Sequence, residues 1–140
     1  MAPAFTAPTP ALAPAFDLVL EHGAQAIVGA IATGGVRIYC PITGGSFSGE
    51  GLSGRVTGGG ETWLERADGV TVVEANYYID FTDGAVARCF GQGYRTVRVG
   101  TRLALLFEAA EDGSVAALAT RAFLAERAED SAHLAISRIV

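Results

Sequence analysis

Three Asp-Gly pairs, at residues 68–69, 83–84 and 112–113, constrain the fold of this 140-residue chain more than any other feature. Asp-Gly is a strong hairpin signal, because both residues tolerate the positive φ angles that a two-residue turn requires. Residues 70–81, between the first two pairs, are rich in the β-branched and aromatic residues that favour strands. Glycines recur at short intervals over residues 44–60, which disfavours a helix and suits hairpins, bulges and tight barrel corners. The sequence therefore predicts antiparallel strands joined as a meander.

Alternation of apolar and polar residues extends this pattern over most of the chain, and roughly nine to eleven strands are expected. Residues 115–126 are ambiguous, because their Ala, Leu, Glu and Arg residues favour a helix whereas continuation of the meander favours a strand. We expect a strand over most of this segment. A meander of this kind closes into a barrel to remove its edges. The sequence thus predicts a single all-β domain over residues 15–140, after a Pro/Ala-rich lead-in over residues 1–14.

Composition excludes several functional classes. The net charge is −5 and all ten basic residues are Arg, so the chain lacks the basic balance that is typical of nucleic-acid-binding proteins. The two cysteines, Cys40 and Cys89, lie in apolar segments and are predicted to be reduced packing residues. The N-terminal segment lacks the pattern of a signal peptide, and no apolar stretch reaches transmembrane length. We therefore expect a cytoplasmic protein without a nucleic-acid or membrane partner.

An ordered set of motifs points to a known family. The most specific parts are P-I-T-G-G-S-F-S-G at residues 41–49 and G-G-G-E-T-W at residues 58–63. Over about residues 15–140 the chain resembles family 3237 of the domains of unknown function. The resemblance implies a lipocalin-like (calycin-like) antiparallel barrel that is commonly oligomeric, and it implies no reaction. Many members have an Asp directly before the Trp, where this chain has Thr62. If that Asp is an acid or base in relatives, either the chemistry of this chain differs or Glu61 or another carboxylate replaces the Asp.

Arginines within apolar strand segments are the first candidate site residues. Arg37 matches an Arg of the family, and if it points inward it could bind a carboxylate, phenolate or enolate oxygen. If it points outward, it is an exposed residue or part of a structural ion pair. Arg88 and Arg95 repeat the same pattern and are candidate substrate-binding residues.

The segment at residues 70–81 contributes three further candidates. Glu74 and Asn76 share one face of the predicted strand, and Tyr77 lies on the other face. If the polar face points into the barrel, Glu74 is a candidate general base and Asn76 a candidate substrate contact. If it points outward, it is a solvated face. Tyr77 matches a Tyr of the family, and it either donates a hydrogen bond to a substrate oxygen or packs in the core.

The aromatic residues and the histidines complete the candidate site. Trp63, the single Trp, either stacks on a flat ligand or is a core residue, and Thr62 and Phe47 are further candidate substrate contacts. His22 and His133 are far apart in sequence, and a lone His near a strand end is more often structural than catalytic. Two His and two Cys give no ligand spacing, so no metal and no cofactor are expected.

Together these residues predict a cofactor-independent lyase or isomerase that acts on a small aromatic or carbonyl compound by general acid/base chemistry in a barrel pocket. In this hypothesis Arg37 holds the substrate oxygen, Tyr77 assists, and Glu74 moves a proton. Two alternatives remain open. The chain is either a non-catalytic barrel that binds or carries a small molecule, or a structural subunit with a packed interior. A small-molecule ligand and further copies of the chain are the expected partners.

Overall fold

The structure is a computed structural model that describes residue 4 and residues 6–140. These residues form nine strands and one short 3₁₀ helix, Ala116–Thr120, which lies between β7 and β8. The strands are β1 (Leu12–His22), β2 (Ala26–Ala30), β3 (Val36–Gly49), β4 (Leu52–Glu65), β5 (Thr71–Phe81), β6 (Val86–Thr96), β7 (Gly100–Ala109), β8 (Phe123–Arg127) and β9 (His133–Ile139). Within the described ranges, no helix combines the length and the apolar character needed to cross a lipid bilayer.

Eight of the strands close an antiparallel barrel. The order is β1-β9-β8-β7-β6-β5-β4-β3, and β1 pairs with β3 so that Leu20 lies opposite Gly45. The short strand β2 pairs with the first half of β3, and no described strand lies on its other side. Its Ile27 and Val28 are exposed. The prediction of an all-β, antiparallel meander barrel is confirmed.

Side chains alternate between the barrel interior and the outer face with the two-residue period of a strand. The alternation is clearest on β5, where every second residue is buried. The buried series consists of Thr71, Val73, Ala75, Tyr77, Ile79 and Phe81. The interior is therefore lined by the apolar face of β5, and its polar face lies outside.

The glycine-rich segments at residues 44–45 and 58–60 lie inside long strands, not in turns. A register shift between Val56 and Gly58 marks a bulge in β4. Gly59 has φ +109°, and a Cβ there would lie 1.9 Å from the carbonyl oxygen of Asn76. Only glycine fits this close approach of two backbones. These two glycine segments therefore form bulges and bends within strands, and they do not form hairpin turns.

The first two Asp-Gly pairs form the predicted hairpin turns. Asp68 accepts a hydrogen bond from the backbone N–H of Val70 at 3.1 Å in the β4–β5 turn. Asp83 accepts one from Ala85 at 3.0 Å in the β5–β6 turn. These carboxylates stabilise the turns by hydrogen bonding to the backbone two residues further on. The third pair precedes the 3₁₀ helix instead of closing a hairpin.

Two strand boundaries differ from the sequence predictions. Within residues 115–126 only the part from Phe123 onward is a strand, because Val115 and Leu118 are buried in the core by way of the 3₁₀ helix. Strand β1 begins at Leu12, inside the predicted lead-in, and the first residues of that lead-in (1–3 and 5) lie outside the described residues. Gly91 and Gly93 lie within β6. The two cysteines are free and buried.

A cluster of five phenylalanines fills one end of the barrel interior. Ring centroids lie 4.7 Å apart for Phe16 and Phe47, 5.4 Å apart for Phe47 and Phe81, and 5.0 Å apart for Phe107 and Phe123. Tilted and edge-to-face contacts of this kind add to the free energy of burying the rings. Phe47 is only 1% exposed, so the structure places it in this phenylalanine cluster and not at a substrate-accessible surface.

Replacing a ring of the phenylalanine cluster tests the direction of the β8 side chains. Phe123→Ala is expected to lower the free energy of unfolding by about 3–5 kcal/mol, because it leaves a cavity between Phe16 and Phe107. Leu124→Ala, one residue further on the outer face, is the matched control and is expected to cost less than about 1 kcal/mol. Urea unfolding of the two variants measures both values. Equal losses would contradict the described facing of β8.

Candidate functional site

An open chamber of about 650 Å³ occupies the other end of the barrel. Its lining comes from the last residues of β1, β4, β6 and β8 and the first residues of β5 and β7, whereas the phenylalanine cluster lies toward the opposite strand ends. The side chains that line it include His22, Cys40, Trp63, Thr71, Arg95, Thr101 and Arg127. The chamber is therefore a largely polar recess in a barrel whose opposite end is apolar.

A fully buried carboxylate, that of Glu61, lies behind the chamber lining. Its two oxygens accept hydrogen bonds from both terminal nitrogens of Arg127, at 2.7 and 2.8 Å. Oε2 also accepts a hydrogen bond from the Tyr77 hydroxyl at 2.6 Å, and Oε1 accepts one from the indole Nε1 of Trp63 at 3.0 Å. We call these four residues the Glu61 cluster. Two of its members, Trp63 and Arg127, face the chamber.

The barrel topology explains how the Glu61 cluster assembles. Glu61 and Trp63 are two residues apart on β4 and therefore point to the same side of the sheet. Tyr77 comes from the neighbouring strand β5. Arg127 ends β8, which is not a neighbour of β4, so its side chain reaches Glu61 across the interior. The cluster thus forms only when the barrel is closed.

The electrostatics of the Glu61 cluster fix the protonation of its members. Burial favours the neutral acid, but the hydrogen bonds and charge of Arg127, with the hydrogen bonds of Tyr77 and Trp63, outweigh it and place the pKa of Glu61 below its ordinary value. Burial and the adjacent carboxylate hold the pKa of Tyr77 well above its ordinary value. At neutral pH the cluster therefore contains an ion pair and a protonated phenol.

A second arginine, Arg95, faces the chamber from β6. Its guanidinium carbon lies 4.3 Å from the ring centroid of Trp63, which is a cation–π stack. In the described part of the chain, Arg95 forms no ion pair and its side chain makes no hydrogen bond. The N–H groups of this guanidinium are therefore available to a molecule in the chamber.

His22, at the end of β1, also lines the chamber. His22 is an exposed residue, and partial burial is the main reason why its pKa lies below the ordinary value of about 6.5; the charge of Glu61 opposes this shift and that of Arg127 adds to it. The imidazole is therefore neutral at neutral pH. Burial raises the pKa of the Cys40 thiol, which stays protonated. The described residues contain no group of three or more His, Cys, Asp and Glu side chains placed to hold a metal ion.

The structure divides the predicted site residues between the inside and the outside of the barrel. Trp63 and Arg95 line the chamber, and Tyr77 lies in the Glu61 cluster. Arg37 lies on the outer face of β3, opposite Leu64, because its neighbours along the strand take the inward positions. The inward alternative for Arg37 is therefore wrong. The oxygen-binding role predicted for Arg37 requires that interior location.

The polar face of β5 also points outward. Glu74 and Asn76, with Thr62 and Arg88 from the adjacent strands, line a separate groove of about 740 Å³ on the outside of the barrel. Arg88 donates hydrogen bonds to Asn76 at 2.5 Å and to Glu108 at 2.7 Å. The inward alternative for Glu74 is wrong, because the apolar face of β5 fills the interior. The structure therefore does not bring Glu74 together with Tyr77.

Sequence reasoning missed one residue of the chamber and gave little weight to two other residues of the site. Arg127 is absent from the predicted site, yet it shares the inward face of β8 with Phe123 and Ala125. The sequence of β8, three apolar residues followed by two charged ones, shows no alternation that would have indicated this. His22 was expected to be structural. Glu61 appeared only as a replacement for the family's Asp, although its position two residues before Trp63 places both on one face.

Comparison with known proteins agrees with this architecture. The sequence profile of DUF3237, described as a protein of unknown function, matches residues 10–123. The chain belongs to the DUF3237 family. No protein with a curated description matches it.

Solved structures of similar proteins share the barrel. A conserved protein of unknown function from Rhodopseudomonas palustris is 26% identical, with a TM-score of 0.83 over 96% of this chain and 100% of that chain. A β-barrel-like protein from Acinetobacter baumannii is 18% identical, with a TM-score of 0.84 over 98% and 100%. A protein described as an enzyme from Penicillium herquei is 22% identical, with a TM-score of 0.81 over 98% and 100%. At these identities the similarity to the last two shows the fold alone.

Removing Arg127 tests the Glu61 cluster. Arg127→Met is expected to lower the free energy of unfolding at pH 7 by about 3–5 kcal/mol, because it leaves the charge of Glu61 buried and unpaired. The double variant Arg127→Met/Glu61→Gln is expected to recover much of this loss. Arg102→Met, which removes an exposed pair with Glu126, is the matched control and is expected to cost less than about 1 kcal/mol.

The pH dependence of these variants gives a second test. In the wild type the lowered pKa of Glu61 means that its contribution to stability is complete above the unfolded-state pKa of about 4.3 and is lost as the pH falls through the folded-state pKa. In Arg127→Met the largest effects that oppose burial are lost and only the hydrogen bonds of Tyr77 and Trp63 remain, so the pKa of Glu61 rises. The stability gap between wild type and variant should then narrow as the pH falls. A gap that is independent of pH would contradict the described cluster.

Proposed function

We propose that the protein is a cofactor-independent lyase or isomerase that moves a proton on a small aromatic or carbonyl compound in the open chamber. The observation that carries this proposal is that a neutral imidazole, His22, lines the same recess as two guanidinium groups, Arg95 and Arg127. A proton acceptor and fixed positive charges are the two elements that proton abstraction next to a carbonyl requires. The description of the Penicillium herquei protein as an enzyme supports the catalytic alternative.

His22 is the proton-transfer group in this proposal. Glu61, Tyr77 and Cys40 also have shifted pKa values, but they are held in unreactive protonation states. Glu61 already accepts four hydrogen bonds and is ionised, so it has no free position for a substrate proton. Tyr77 and Cys40 stay protonated at neutral pH because burial raises the pKa of each. The imidazole of His22 is unprotonated under the same conditions and faces the recess.

Arg95 supplies the uncompensated positive charge that stabilises the negative charge developing on the substrate oxygen, whereas the charge of Arg127 is balanced by Glu61. Both guanidinium groups are fixed before the substrate binds, since Arg127 is held by Glu61 and Arg95 is stacked on Trp63. Positive groups that need no reorganisation during the reaction give the largest electrostatic stabilisation of a transition state. Trp63 forms an apolar wall of the recess, where these interactions are stronger than in bulk water.

A non-catalytic binding or carrier barrel is the second candidate. The hydrogen bonds of Glu61 favour this carrier function. A carboxylate that already accepts four internal hydrogen bonds offers no general acid or base to a ligand. In that case the chamber binds its ligand through Arg95 and Trp63, and no bond to hydrogen is broken.

Hydrogen–deuterium exchange on phenylpyruvate, an enolisable aromatic 2-oxo acid, tests the catalytic proposal. The wild type is expected to accelerate the exchange of the methylene protons in D₂O, as measured by NMR. His22→Asn should reduce the acceleration by at least about 100-fold, since positioned general bases contribute on this scale. The matched control is His133→Asn, which replaces an exposed histidine paired with Asp17 outside the chamber and should leave the rate unchanged.

The pH profile adds an independent readout of the same proposal. Because His22 acts in its neutral form, the exchange rate should rise as the pH increases through its lowered pKa and level off before neutrality. Binding of phenylpyruvate without any exchange above that in buffer would favour the carrier barrel. Full activity of His22→Asn would show that the proton-transfer group is wrong.

A further inference from the structure

We infer that the chamber selects planar anions, with an aromatic or conjugated carboxylate as its ligand class and Arg95 as the residue that binds the carboxylate. This inference rests on the proposed function, because it concerns the same chamber, and it adds the charge and shape of the substrate. Arg95 is 4.3 Å from the Trp63 ring centroid and lines the recess.

The absence of a carboxylate partner distinguishes Arg95 from most arginines of this protein. Six of the ten arginines form ion pairs among the described residues. These are Arg66, Arg88, Arg102, Arg121, Arg127 and Arg138. Among the described arginines without such a pair, Arg95 is the one that lines the chamber. An acidic protein of net charge −5 therefore leaves one guanidinium unneutralised at this recess.

The neighbours of Arg95 support its guanidinium over the ring of Trp63. Glu61 fixes the indole of Trp63 through the hydrogen bond at Nε1, and the indole face in turn supports the guanidinium. A stacked guanidinium keeps its N–H groups at the edge of the plane, which is the fork geometry that matches the two oxygens of a carboxylate. The Glu61 cluster thus positions Arg95 for a planar, two-oxygen ligand without contacting that ligand itself.

The buried charge nearest to the chamber does not oppose an anion at Arg95. The negative charge of Glu61 is compensated by Arg127, so it does not oppose Arg95. Glu65, Glu129 and Asp130 also line the recess, but they are exposed and therefore screened by solvent. The volume of about 650 Å³ lies within the range of sites for small molecules.

Trp63 is the single Trp, so its fluorescence reports binding in the chamber directly. The probes are cinnamate and cinnamamide, which have the same shape but differ in charge. The wild type should bind cinnamate at least about tenfold more tightly than cinnamamide, because only cinnamate forms charge-assisted hydrogen bonds with a guanidinium. Arg95→Gln should abolish this preference, and Arg95→Lys should retain part of it.

The matched control is Arg98→Gln. Arg98 is also without an ion pair in the described residues, but it is exposed in the β6–β7 turn and does not line the chamber, so its loss should leave the preference intact. The preference of the wild type should also fall as salt is added, and this needs no variant that could misfold. Equal affinity for both probes, retention of the preference in Arg95→Gln, or no quenching by cinnamate up to about 10 mM would overturn the inference.

The failure of this inference can be told apart from the failure of the proposed function. A preference for cinnamate without catalysed exchange on phenylpyruvate would overturn the function and leave the ligand class standing. Catalysed exchange without a preference for the carboxylate would overturn the ligand class alone.

Discussion

The geometry of the chamber end of the barrel depends on the carboxylate of Glu61. A fully buried charge is stable only when its hydrogen-bonding capacity is met, and here four donors meet it. The donors come from three strands, β4, β5 and β8, and Arg127 reaches its partner across the interior. The same contacts fix Trp63 and, through it, Arg95. One buried charge therefore links barrel closure to the geometry of the chamber.

The interior combines two environments with different roles. The phenylalanine cluster fills one end with apolar rings in mutual contact, and burial of this kind is the main source of folding free energy. The other end carries buried polar groups, which cost free energy unless they are paired. Segregation of the two ends allows a polar chamber to exist in a small barrel, because the apolar end supplies the stability that the polar end does not.

The sequence predicted the meander well, because Asp68 and Asp83 specify hairpins through local backbone chemistry that needs no tertiary context. It did not settle which face of a strand points inward, and a shift of one residue moves every side chain to the other side. For β5 the unbroken apolar series ending at Phe81 was the usable signal, and it places Glu74 outside. The contact of Glu61 with Arg127 spans 66 residues and depends on closure of the barrel, so no local pattern could reveal it.

We propose that the chamber, and not the groove on the outer face, is the functional site. A crystal structure of the protein in complex with a planar aromatic carboxylate such as 1-naphthoate tests this most directly. We expect the ring to lie in the chamber beside Trp63, and we expect both carboxylate oxygens to accept hydrogen bonds from Arg95. A ligand bound in the outer groove beside Glu74 and Arg88, with the chamber unchanged, would contradict it.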